Sequence, residues 1–157
     1  MTFRVRYADK LMRFAMTEKI YFSNSINDTE EIASGLCPIL LERRFLCFYG
    51  GLGAGKTAFT RGIVKELAPE CLGLVHSPTF AIVNEYLGKN NSIFHFDLYR
   101  IKDADDLYST GFYDYADQNG IIITEWSENF ESELPADAIR VQIEVTGENS
   151  RKITVRY

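Results

Sequence analysis

The sequence predicts an α/β fold with a single domain, in which a mixed sheet is flanked by helices and ends in a C-terminal antiparallel hairpin. Three observations lead to this prediction. The 157 residues are enough for one domain but not comfortably for two. Hydrophobic residues make up 46% of the chain, which is enough for a core and excludes disorder of the whole chain. Apolar runs of strand length also alternate with stretches in which apolar residues recur at helical spacing.

The N-terminal end is predicted to be an arm that precedes the domain. Residues 1–17 show no clear periodicity, and we expect them to form a poorly ordered arm before a domain that spans residues 18–157. Met16 stands directly before the first strand candidate. It is therefore an alternative to Met1 as the natural start of the protein.

The first strand and helix are predicted after this arm. Residues 20–22 form a short strand candidate, and Asn27 with Glu30 matches the spacing of a helix capping box. Apolar residues then follow at helical spacing. Pro38 interrupts this helix or ends it early, because proline inside a helix removes a hydrogen bond and clashes with the preceding turn.

The remaining elements follow the same two periodicities. Residues 45–49 are an apolar run of strand length, and the helix that follows places Phe59, Ile63 and Leu67 on one face until Pro69 stops it. Residues 121–123 are apolar on both faces, as expected of a central parallel strand. The other predicted elements are strands at 81–87 and 92–96, short helices within 103–118, and a hairpin formed by 139–146 and 152–157.

The net charge of −5 is unevenly distributed along the chain. Residues 1–19 carry a net charge of +3, whereas residues 97–137 hold eleven acidic and two basic residues, a net charge of −9. Phosphate neutralisation needs lysine and arginine, so such a chain is a poor candidate for binding nucleic acid alone. Basic partners, or partners that themselves contact the nucleic acid, fit this charge better.

The cysteines and apolar runs predict a cytoplasmic protein without a membrane partner. Cys37, Cys47 and Cys71 are widely spaced and form no zinc-type cluster, so we expect three reduced thiols in a reducing compartment. No apolar run is long enough to span a bilayer, and the N-terminal residues lack the apolar centre of a signal peptide.

A phosphate-binding motif occupies residues 50–57, which match Gly-x-x-x-x-Gly-Lys-[Ser/Thr] in full. Glycines let successive backbone N–H groups surround a β-phosphate, and the following helix directs its positive end at the same anion. The Lys56 ammonium would reach the β- and γ-phosphates, and the Thr57 hydroxyl would ligate Mg²⁺. A glycine-rich surface turn is the simpler alternative, but it does not explain the buried-type strand before the motif and the amphipathic helix after it. The sequence therefore predicts a P-loop NTPase-like domain.

Two acidic residues compete for the role of second metal partner. Asp97 ends a strand candidate that is broken by a histidine, whereas Glu125 ends the cleaner apolar run. Both would lie at the carboxyl ends of strands, where ligands bind in open α/β sheets. From the residues alone we expect both in the site, one on Mg²⁺ and the other near the γ-phosphate or its attacking water, without deciding which does which.

Other residues near these motifs have weaker signals. Pro78 makes Ser77 extended and stiffens a loop that could place Thr79 over the γ-phosphate, although a rigid turn is an equal alternative. His76 and His95 are interpreted as structural, because nothing in the sequence pairs them with a nucleophile. Trp126 follows Glu125 directly and is either a packing residue, a shield of the site or a partner contact.

The nucleotide is predicted to be ATP. The chain lacks the Asn-Lys-x-Asp element with which GTPases recognise guanine. A small-metabolite kinase would need an arginine-rich lid to clamp phosphates. The arginines after Lys56 are instead scattered, which argues against a kinase without excluding one; they are Arg61, Arg100, Arg140, Arg151 and Arg156.

Four sequence blocks together resemble the TsaE (YjeE) family of bacterial P-loop ATPases. They are Gly-Gly-Leu-Gly-Ala-Gly-Lys-Thr at 50–57, Ser-Pro-Thr-Phe with Val-Asn-Glu-Tyr at 77–86, His-Phe-Asp-Leu-Tyr-Arg at 95–100 and Thr-Glu-Trp-Ser-Glu at 124–128. The resemblance begins near residue 18 and extends to the end of the chain. It implies an ATPase needed to form threonylcarbamoyladenosine at position 37 of certain tRNAs. In that family, ATP binding and slow hydrolysis control a complex with TsaD and TsaB, and TsaD performs the transfer.

The resemblance also implies roles for individual residues. Thr57 and Glu125 would hold Mg²⁺, Asp97 would support hydrolysis together with Lys56, and Thr79 would lie in a switch-like loop. Trp126 matches the Glu-Trp pair of the family. The implied nucleotide-binding residues are Gly51, Leu52, Gly53, Ala54, Gly55, Lys56, Thr57 and Ala58, with Thr29 and Ser150 beside the adenine.

The chain departs from the family pattern at a few positions. Gly51 stands where the family usually has Asp, but this is a free position of the phosphate motif, so the cradle is expected to survive. Any special role of that acid is put in doubt. Pro38 in the first helix and the basic arm before Met16 are also unusual for the family.

The sequence thus favours a Mg²⁺-dependent ATPase, weak alone and stimulated by partners, that drives or resets the tRNA-modifying complex. We expect tRNA to be reached only through that complex. The alternatives are a small-metabolite kinase and a pure binding module in which the P-loop serves assembly rather than chemistry.

Overall fold

A computed structural model describes residues 16–157 of the chain. One sheet runs through the domain, with seven strands in the described residues in the order β1-β7-β6-β2-β5-β4-β3. The strands are β1 (Glu18–Ser23), β2 (Phe45–Tyr49), β3 (Val83–Leu87), β4 (Ser92–Asp97), β5 (Ile121–Glu125), β6 (Ile139–Val145) and β7 (Arg151–Arg156).

The helices are short except for one. The α-helices are α1 (Ile26–Gly35), α2 (Cys37–Arg43), α3 (Lys56–Leu67), α4 (Ala104–Ser109) and α5 (Phe112–Asp117), and two 3₁₀ helices span Pro69–Leu74 and Ser127–Glu133. No helix within residues 16–157 has both the length and the apolar character needed to cross a membrane.

Parallel strands form the centre of the sheet and antiparallel strands form its edges. The run β6-β2-β5-β4 is parallel throughout, whereas β1, β7 and β3 each pair antiparallel with their neighbours. The predicted mixed sheet and the C-terminal hairpin of β6 and β7 are both confirmed. The strands that end at the phosphate motif, at Glu125 and at Asp97 are consecutive in the sheet and point the same way.

Each face of the sheet has its own hydrophobic core. Helices α1, α2 and α3 cover one face, where residues such as Phe59 and Ile63 pack on Leu46 and Ile123. Helices α4 and α5 with the second 3₁₀ helix cover the β2-β5-β4 part of the other face, where Phe112 packs on Phe96 with ring centroids 5.2 Å apart. Helix α3, which follows the phosphate motif, therefore packs on the same face of the sheet as α1 and α2.

Helix α1 begins earlier than the Asn27–Glu30 capping box predicts. Its N-cap is Ser25, whose side chain accepts a hydrogen bond from the Asp28 N–H. Asp28 in turn accepts from the Asn24 N–H at 2.8 Å, which also lowers the pKa of the Asp28 carboxyl. A Ser-x-x-Asp pair thus caps the helix in place of the predicted Asn-x-x-Glu pair, because a serine hydroxyl at this position reaches the N–H three residues ahead.

Two prolines act as predicted, and one strand is shorter than predicted. The first helix ends at Gly35, and Pro38 lies in the first turn of the next helix, α2. A proline is tolerated there because the N–H groups of a first turn have no hydrogen-bond partner within the helix. Pro69 likewise begins the first 3₁₀ helix. The strand expected at 81–87 begins only at Val83, because Ile82 has a left-handed backbone (φ 66°) and donates its N–H to the Pro78 carbonyl.

The three cysteines are free and buried. Burial raises the pKa of the Cys37 and Cys47 thiols to about 12, so both stay protonated at neutral pH. The predicted N-terminal arm lies outside the described residues except for Met16 and Thr17. Thr17 exchanges two backbone hydrogen bonds with Tyr157, at 2.7 and 3.0 Å, so the described chain is tied to the sheet from that residue onward.

Candidate functional site

The phosphate motif lies between β2 and α3, which is the placement that its chemistry requires. Gly50, Gly53 and Gly55 all have positive φ angles of 138°, 74° and 115°, which an L side chain adopts only with strain. A Cβ on Gly50 would also lie 2.6 Å from the Ile143 carbonyl oxygen. Gly55 is the N-cap of α3, so the backbone N–H groups at the start of this helix face the loop.

Lys56 is almost fully buried in the loop that precedes it, with 7% of its surface exposed. Its ammonium donates to the Gly50 carbonyl at 3.1 Å and lies 3.7 Å from Glu125 Oε2. The Trp126 ring covers the same ammonium, with its centroid 4.7 Å from Nζ. A lysine chain has several rotatable bonds, so Nζ can exchange these contacts for phosphate oxygens at the mouth of the loop.

Asp97 and Glu125 end neighbouring strands side by side. Their Cα atoms are register partners at the carboxyl ends of β4 and β5, and both side chains are about 95% buried. Asp97 Oδ1 accepts a hydrogen bond of 2.9 Å from the Tyr99 N–H, which fixes the orientation of that carboxylate. The sheet thus brings together the two acids between which the sequence could not choose.

His95 contacts Glu125 from inside the protein. Its Nε2 lies 2.8 Å from Glu125 Oε1, and the imidazole is completely buried. Tyr86 packs beside the ring with centroids 6.4 Å apart, and burial raises the pKa of the Tyr86 hydroxyl. The interpretation of His95 as structural therefore missed its contact with a site acid, because nothing in the sequence shows which strands are neighbours.

Trp126 adopts a backbone conformation that is rare for a bulky residue, with φ 59° and ψ 44°. This left-handed turn directs the indole over Lys56 and against Tyr99, whose ring centroid lies 5.1 Å away. Non-glycine residues persist in this region only when the surrounding structure compensates for the strain, and such residues cluster at functional sites. The indole therefore forms one wall of the site.

A cavity of about 610 Å³ opens at the point where these groups meet. It is lined by ten of the residues that the sequence or the resemblance assigned to the site, and also by Ser77 and Tyr99. The ten are Leu52, Gly53, Ala54, Gly55, Lys56, Thr57, Thr79, Asp97, Glu125 and Trp126. Gly51, Ala58, Thr29 and Ser150 do not line this cavity.

The two residues expected beside the adenine, Thr29 and Ser150, both have protein partners. Thr29 is buried, and its hydroxyl lies 2.7 Å from Ser23 Oγ and 3.3 Å from the Ser25 carbonyl. Ser150 donates at 3.2 Å to Asn24 Oδ1, so the hairpin turn contacts the start of α1. Their contact with a nucleotide stays a prediction.

The loop that carries Thr79 contributes to the lining of the cavity. Ser77 Oγ and Thr79 Oγ1 are 2.8 Å apart, and both residues line the cavity. Phe80 is 87% exposed, and the Arg100 guanidinium lies over its ring at 5.2 Å. The hydroxyl groups of this loop can therefore face a ligand while the aromatic side chain faces solvent.

Arg151 is a residue at the site that sequence reasoning did not single out. Its Nε donates to the Ala54 carbonyl at 2.8 Å, and its Nη1 donates to the Ser150 carbonyl at 2.9 Å. The guanidinium thus links the C-terminal hairpin to the phosphate loop. The only signal in the sequence was an arginine directly after a hairpin turn, a pattern that does not by itself indicate a functional site.

The oxygen atoms in the cavity suit a magnesium ion that is bound together with phosphates. The hydroxyl of Thr57 and the carboxylates of Asp97 and Glu125 line one space, and oxygen ligands are those that Mg²⁺ prefers. No group of three or more His, Cys, Asp or Glu side chains in residues 16–157 could hold a metal unaided. That is compatible with Mg²⁺ in nucleotide sites, which is usually bound by one or two carboxylates, water and the phosphates themselves.

Residues 23–153 match the sequence model of a family described as threonylcarbamoyl adenosine biosynthesis protein TsaE. Curated proteins named tRNA threonylcarbamoyladenosine biosynthesis protein TsaE are similar over most of the chain. The one from Rickettsia felis is 36% identical over 132 residues, which cover 84% of this chain and 76% of that protein. The one from Aquifex aeolicus is 36% identical over 131 residues, which cover 83% and 90%.

A solved structure is similar across nearly the whole domain. The crystal structure of Bacillus subtilis YdiB superimposes with a TM-score of 0.65 at 26% sequence identity, covering 91% of this chain and 87% of that one. The family match leaves only the first 22 residues and the last four outside it. The family match and the structural similarity therefore both span nearly the whole domain.

Proposed function

The chain belongs to the TsaE family and works in tRNA threonylcarbamoyladenosine biosynthesis, and we propose that it does so as an ATP-hydrolysing subunit. In this proposal, ATP binding and slow hydrolysis drive or reset the complex that modifies position 37 of tRNA. The single observation that carries the proposal is the convergence of Lys56, Asp97 and Glu125 on one cavity at the phosphate loop.

The phosphate loop would bind the nucleotide through backbone and lysine together. Three positive-φ glycines leave no side chain between the loop backbone and a β-phosphate. The start of α3 adds its own N–H groups and the positive end of its dipole. Lys56 would exchange its contacts with Gly50 and Glu125 for the β- and γ-phosphates, which keeps its charge compensated throughout.

The two acids would have different roles, one in metal binding and one in hydrolysis. Thr57 and Glu125 would hold Mg²⁺, which when bound neutralises charge on the phosphate oxygens. Asp97, held by the Tyr99 N–H, would orient the water that attacks the γ-phosphate. Thr79 would contact the γ-phosphate from the loop at the cavity mouth and so couple the loop to the state of the nucleotide.

We propose TsaD and TsaB as the partners of this chain, by its family, and place the protein in the cytoplasm with them. TsaD would perform the transfer to adenosine, so tRNA would be reached through the complex. The charge supports this division, since residues 97–137 carry a net charge of −9, which disfavours direct contact with tRNA. The same charge suits a partner surface rich in lysine and arginine.

The test compares two lysine variants of the same helix. Lys56→Ala removes the phosphate-binding ammonium, whereas Lys65→Ala removes an exposed lysine from the other end of α3. We expect Lys56→Ala to lose ATP binding in calorimetry by about 100-fold or more, because a charged contact to phosphate is removed. Lys65→Ala should bind like the wild type.

The same pair of variants tests the cellular role. Lys56→Ala should fail to restore threonylcarbamoyladenosine in tRNA of depleted cells, as measured by mass spectrometry of nucleosides, and Lys65→Ala should restore it. Restoration by Lys56→Ala would show that nucleotide binding is not needed, and the chain would then be a binding module. A phosphorylated metabolite formed during ATP turnover would instead identify a small-metabolite kinase, although no arginine of the described chain lines the cavity.

A further inference from the structure

His95 and Glu125 form a buried hydrogen-bonded pair beside the cavity. The imidazole Nε2 lies 2.8 Å from Glu125 Oε1, and the side chains are 0% and 5% exposed. Glu125 lines the cavity, whereas His95 does not. The histidine therefore reaches the site only through the carboxylate.

The register of the sheet explains why this contact forms. His95 is the register partner of Ile123, and Asp97 is the partner of Glu125. Side chains alternate along a strand, so His95, Asp97 and Glu125 share one face, the face toward α3. His95 and Glu125 are therefore diagonal neighbours on the adjacent strands β4 and β5, a separation that long side chains can span.

Within the part of the chain that the structure describes, the imidazole makes a single hydrogen bond, the one to Glu125. His95 Nδ1 is buried and has no hydrogen-bond partner among the side chains and backbone of residues 16–157. A carboxylate accepts hydrogen bonds, so the imidazole donates to Glu125 from its Nε2. An apolar side chain would fill the same space without an unpaired nitrogen. Packing alone therefore does not explain a histidine here.

Glu125 divides its two oxygens between His95 and Lys56. Oε1 accepts from the imidazole, and Oε2 lies 3.7 Å from the Lys56 ammonium. When Lys56 moves to the phosphates, Oε2 becomes available for the cation while the carboxylate loses one of its two neighbours. The contact with His95 is then what keeps the carboxylate from rotating.

We propose that His95 is a positioning residue, which holds Glu125 Oε1 so that Oε2 faces the cation beside Thr57. The proposal rests on the proposed function, because it assumes that Mg²⁺ binds with the nucleotide in this cavity. Residues that orient metal ligands from behind commonly change metal affinity or activity by about 10- to 100-fold when they are replaced.

Two variants distinguish a hydrogen-bonding role of His95 from a packing role. His95→Leu fills the space without a donor, and His95→Gln keeps an N–H donor at similar reach. We expect His95→Leu to raise the Mg²⁺ concentration needed for half-maximal ADP binding about tenfold, with ADP binding in EDTA unchanged within about twofold. His95→Gln should restore most of the Mg²⁺ response.

A double-mutant cycle with Glu125→Gln tests whether His95 acts through this carboxylate. If it does, His95→Leu adds little to the loss that Glu125→Gln causes alone, so the two effects are not additive. A wild-type Mg²⁺ response of His95→Leu overturns the proposal. Equal losses in His95→Leu and His95→Gln overturn it as well, because they indicate a packing role.

A second measurement uses the unaltered protein and decides the question if His95→Leu does not fold. In ¹⁵N spectra of histidine-labelled protein, His95 should carry a proton on Nε2 that is hydrogen-bonded to a carboxylate, and it should keep this proton when ADP and Mg²⁺ are added. Absence of a proton on Nε2, or loss of the Nε2–H signal with Mg²⁺–ADP, overturns the proposal. If wild-type protein binds no nucleotide in calorimetry, the proposed function itself fails, and the two failures are thereby distinguished.

Discussion

Arg151 shows how one side chain can couple a distant element to the phosphate loop. The residue begins β7, yet its Nε donates at 2.8 Å to the carbonyl of Ala54, which is 97 positions earlier in the chain. Because the peptide unit is planar and trans, holding the Ala54 carbonyl also fixes the direction of the Gly55 N–H at the start of α3. We therefore expect Arg151 to support phosphate binding without touching a phosphate.

Replacing Arg151 by methionine should weaken nucleotide binding. Arg151→Met keeps most of the aliphatic chain and removes the hydrogen bond to Ala54, together with those to the carbonyls of the preceding turn at Gly147, Glu148 and Ser150. A hydrogen bond from a charged group contributes about 1.5–3 kcal/mol, so the Kd for ADP should rise about tenfold or more. Calorimetry with ADP and Mg²⁺ measures this change directly.

Arg156→Met is the matched control, because Arg156 ends the same strand and its Nε donates to Glu18 at 2.6 Å on the exposed surface. Exposed ion pairs contribute little, so this variant should bind ADP like the wild type. An unchanged Kd for Arg151→Met, or equal effects of both variants, would mean that the contact with Ala54 does not support the loop.

At the scale of elements, the helix that follows the phosphate motif is held by a close contact with α1. Gly62 faces α1, and a Cβ at this position would lie 2.3 Å from the Glu30 carbonyl oxygen and 2.8 Å from Ala33 Cβ. Ser34 also donates to the Gly62 carbonyl at 3.1 Å. The glycine is thus required by the distance between the two helices, not by its backbone conformation.

Gly62→Ala should destabilise the protein although alanine is the better helix former. Replacing glycine by alanine gains about 1 kcal/mol in helix propensity, whereas overpacking costs about 1–3 kcal/mol. The cost exceeds the gain when the two helices cannot move apart to make room for the added methyl group. With backbone atoms on the other side of the contact, we expect a net loss of about 1–2 kcal/mol, or about 2–8 °C in Tm. Thermal unfolding followed by circular dichroism measures it.

Gly73→Ala provides the comparison for this variant. A Cβ at Gly73 would meet no atom within 4 Å, and its backbone φ is not positive. Its stability should stay within about 0.5 kcal/mol of the wild type. A Tm of Gly62→Ala above that of the wild type would show that helix propensity outweighs the contact with α1.

At the scale of the whole molecule, strand β1 forms one edge of the described sheet, away from the site. Strand β1 pairs along all six of its residues with β7, and Thr17 extends this pairing to Tyr157. The site lies on β2, β4 and β5, on the other side of β6 and β7 from β1. The basic segment before Met16 is therefore expected to be dispensable for folding and for nucleotide binding.

Removing residues 1–15 should leave both properties unchanged. The shortened chain should unfold at the same temperature and bind ADP within about twofold of the full chain, because no contact in the described sheet is lost. Removing residues 1–23 instead deletes β1 and exposes the edge of β7, so this longer truncation should lower Tm and promote aggregation. A tenfold loss of ADP affinity in the shorter truncation would contradict the prediction.

The sequence by itself determined the order of elements, the phosphate loop, the family and most of the residues that line the cavity. These signals are local, because a strand, a glycine-rich turn and a helix start are each specified within a few consecutive residues. One local prediction was wrong: the N-cap of α1 is Ser25 and not Asn27, since several polar residues near the start of this helix can act as its cap. The residue range of each core strand was nonetheless predicted within a few positions.

Only the tertiary structure decided which side chains meet. Strand order is not chain order, and β2-β5-β4 become neighbours through contacts that lie far apart in sequence. That order sets Asp97 beside Glu125, His95 behind Glu125, and Arg151 against Ala54. The physical reason is that hydrogen bonding between strands and burial of two cores select one arrangement of the whole chain, which no single stretch of residues encodes.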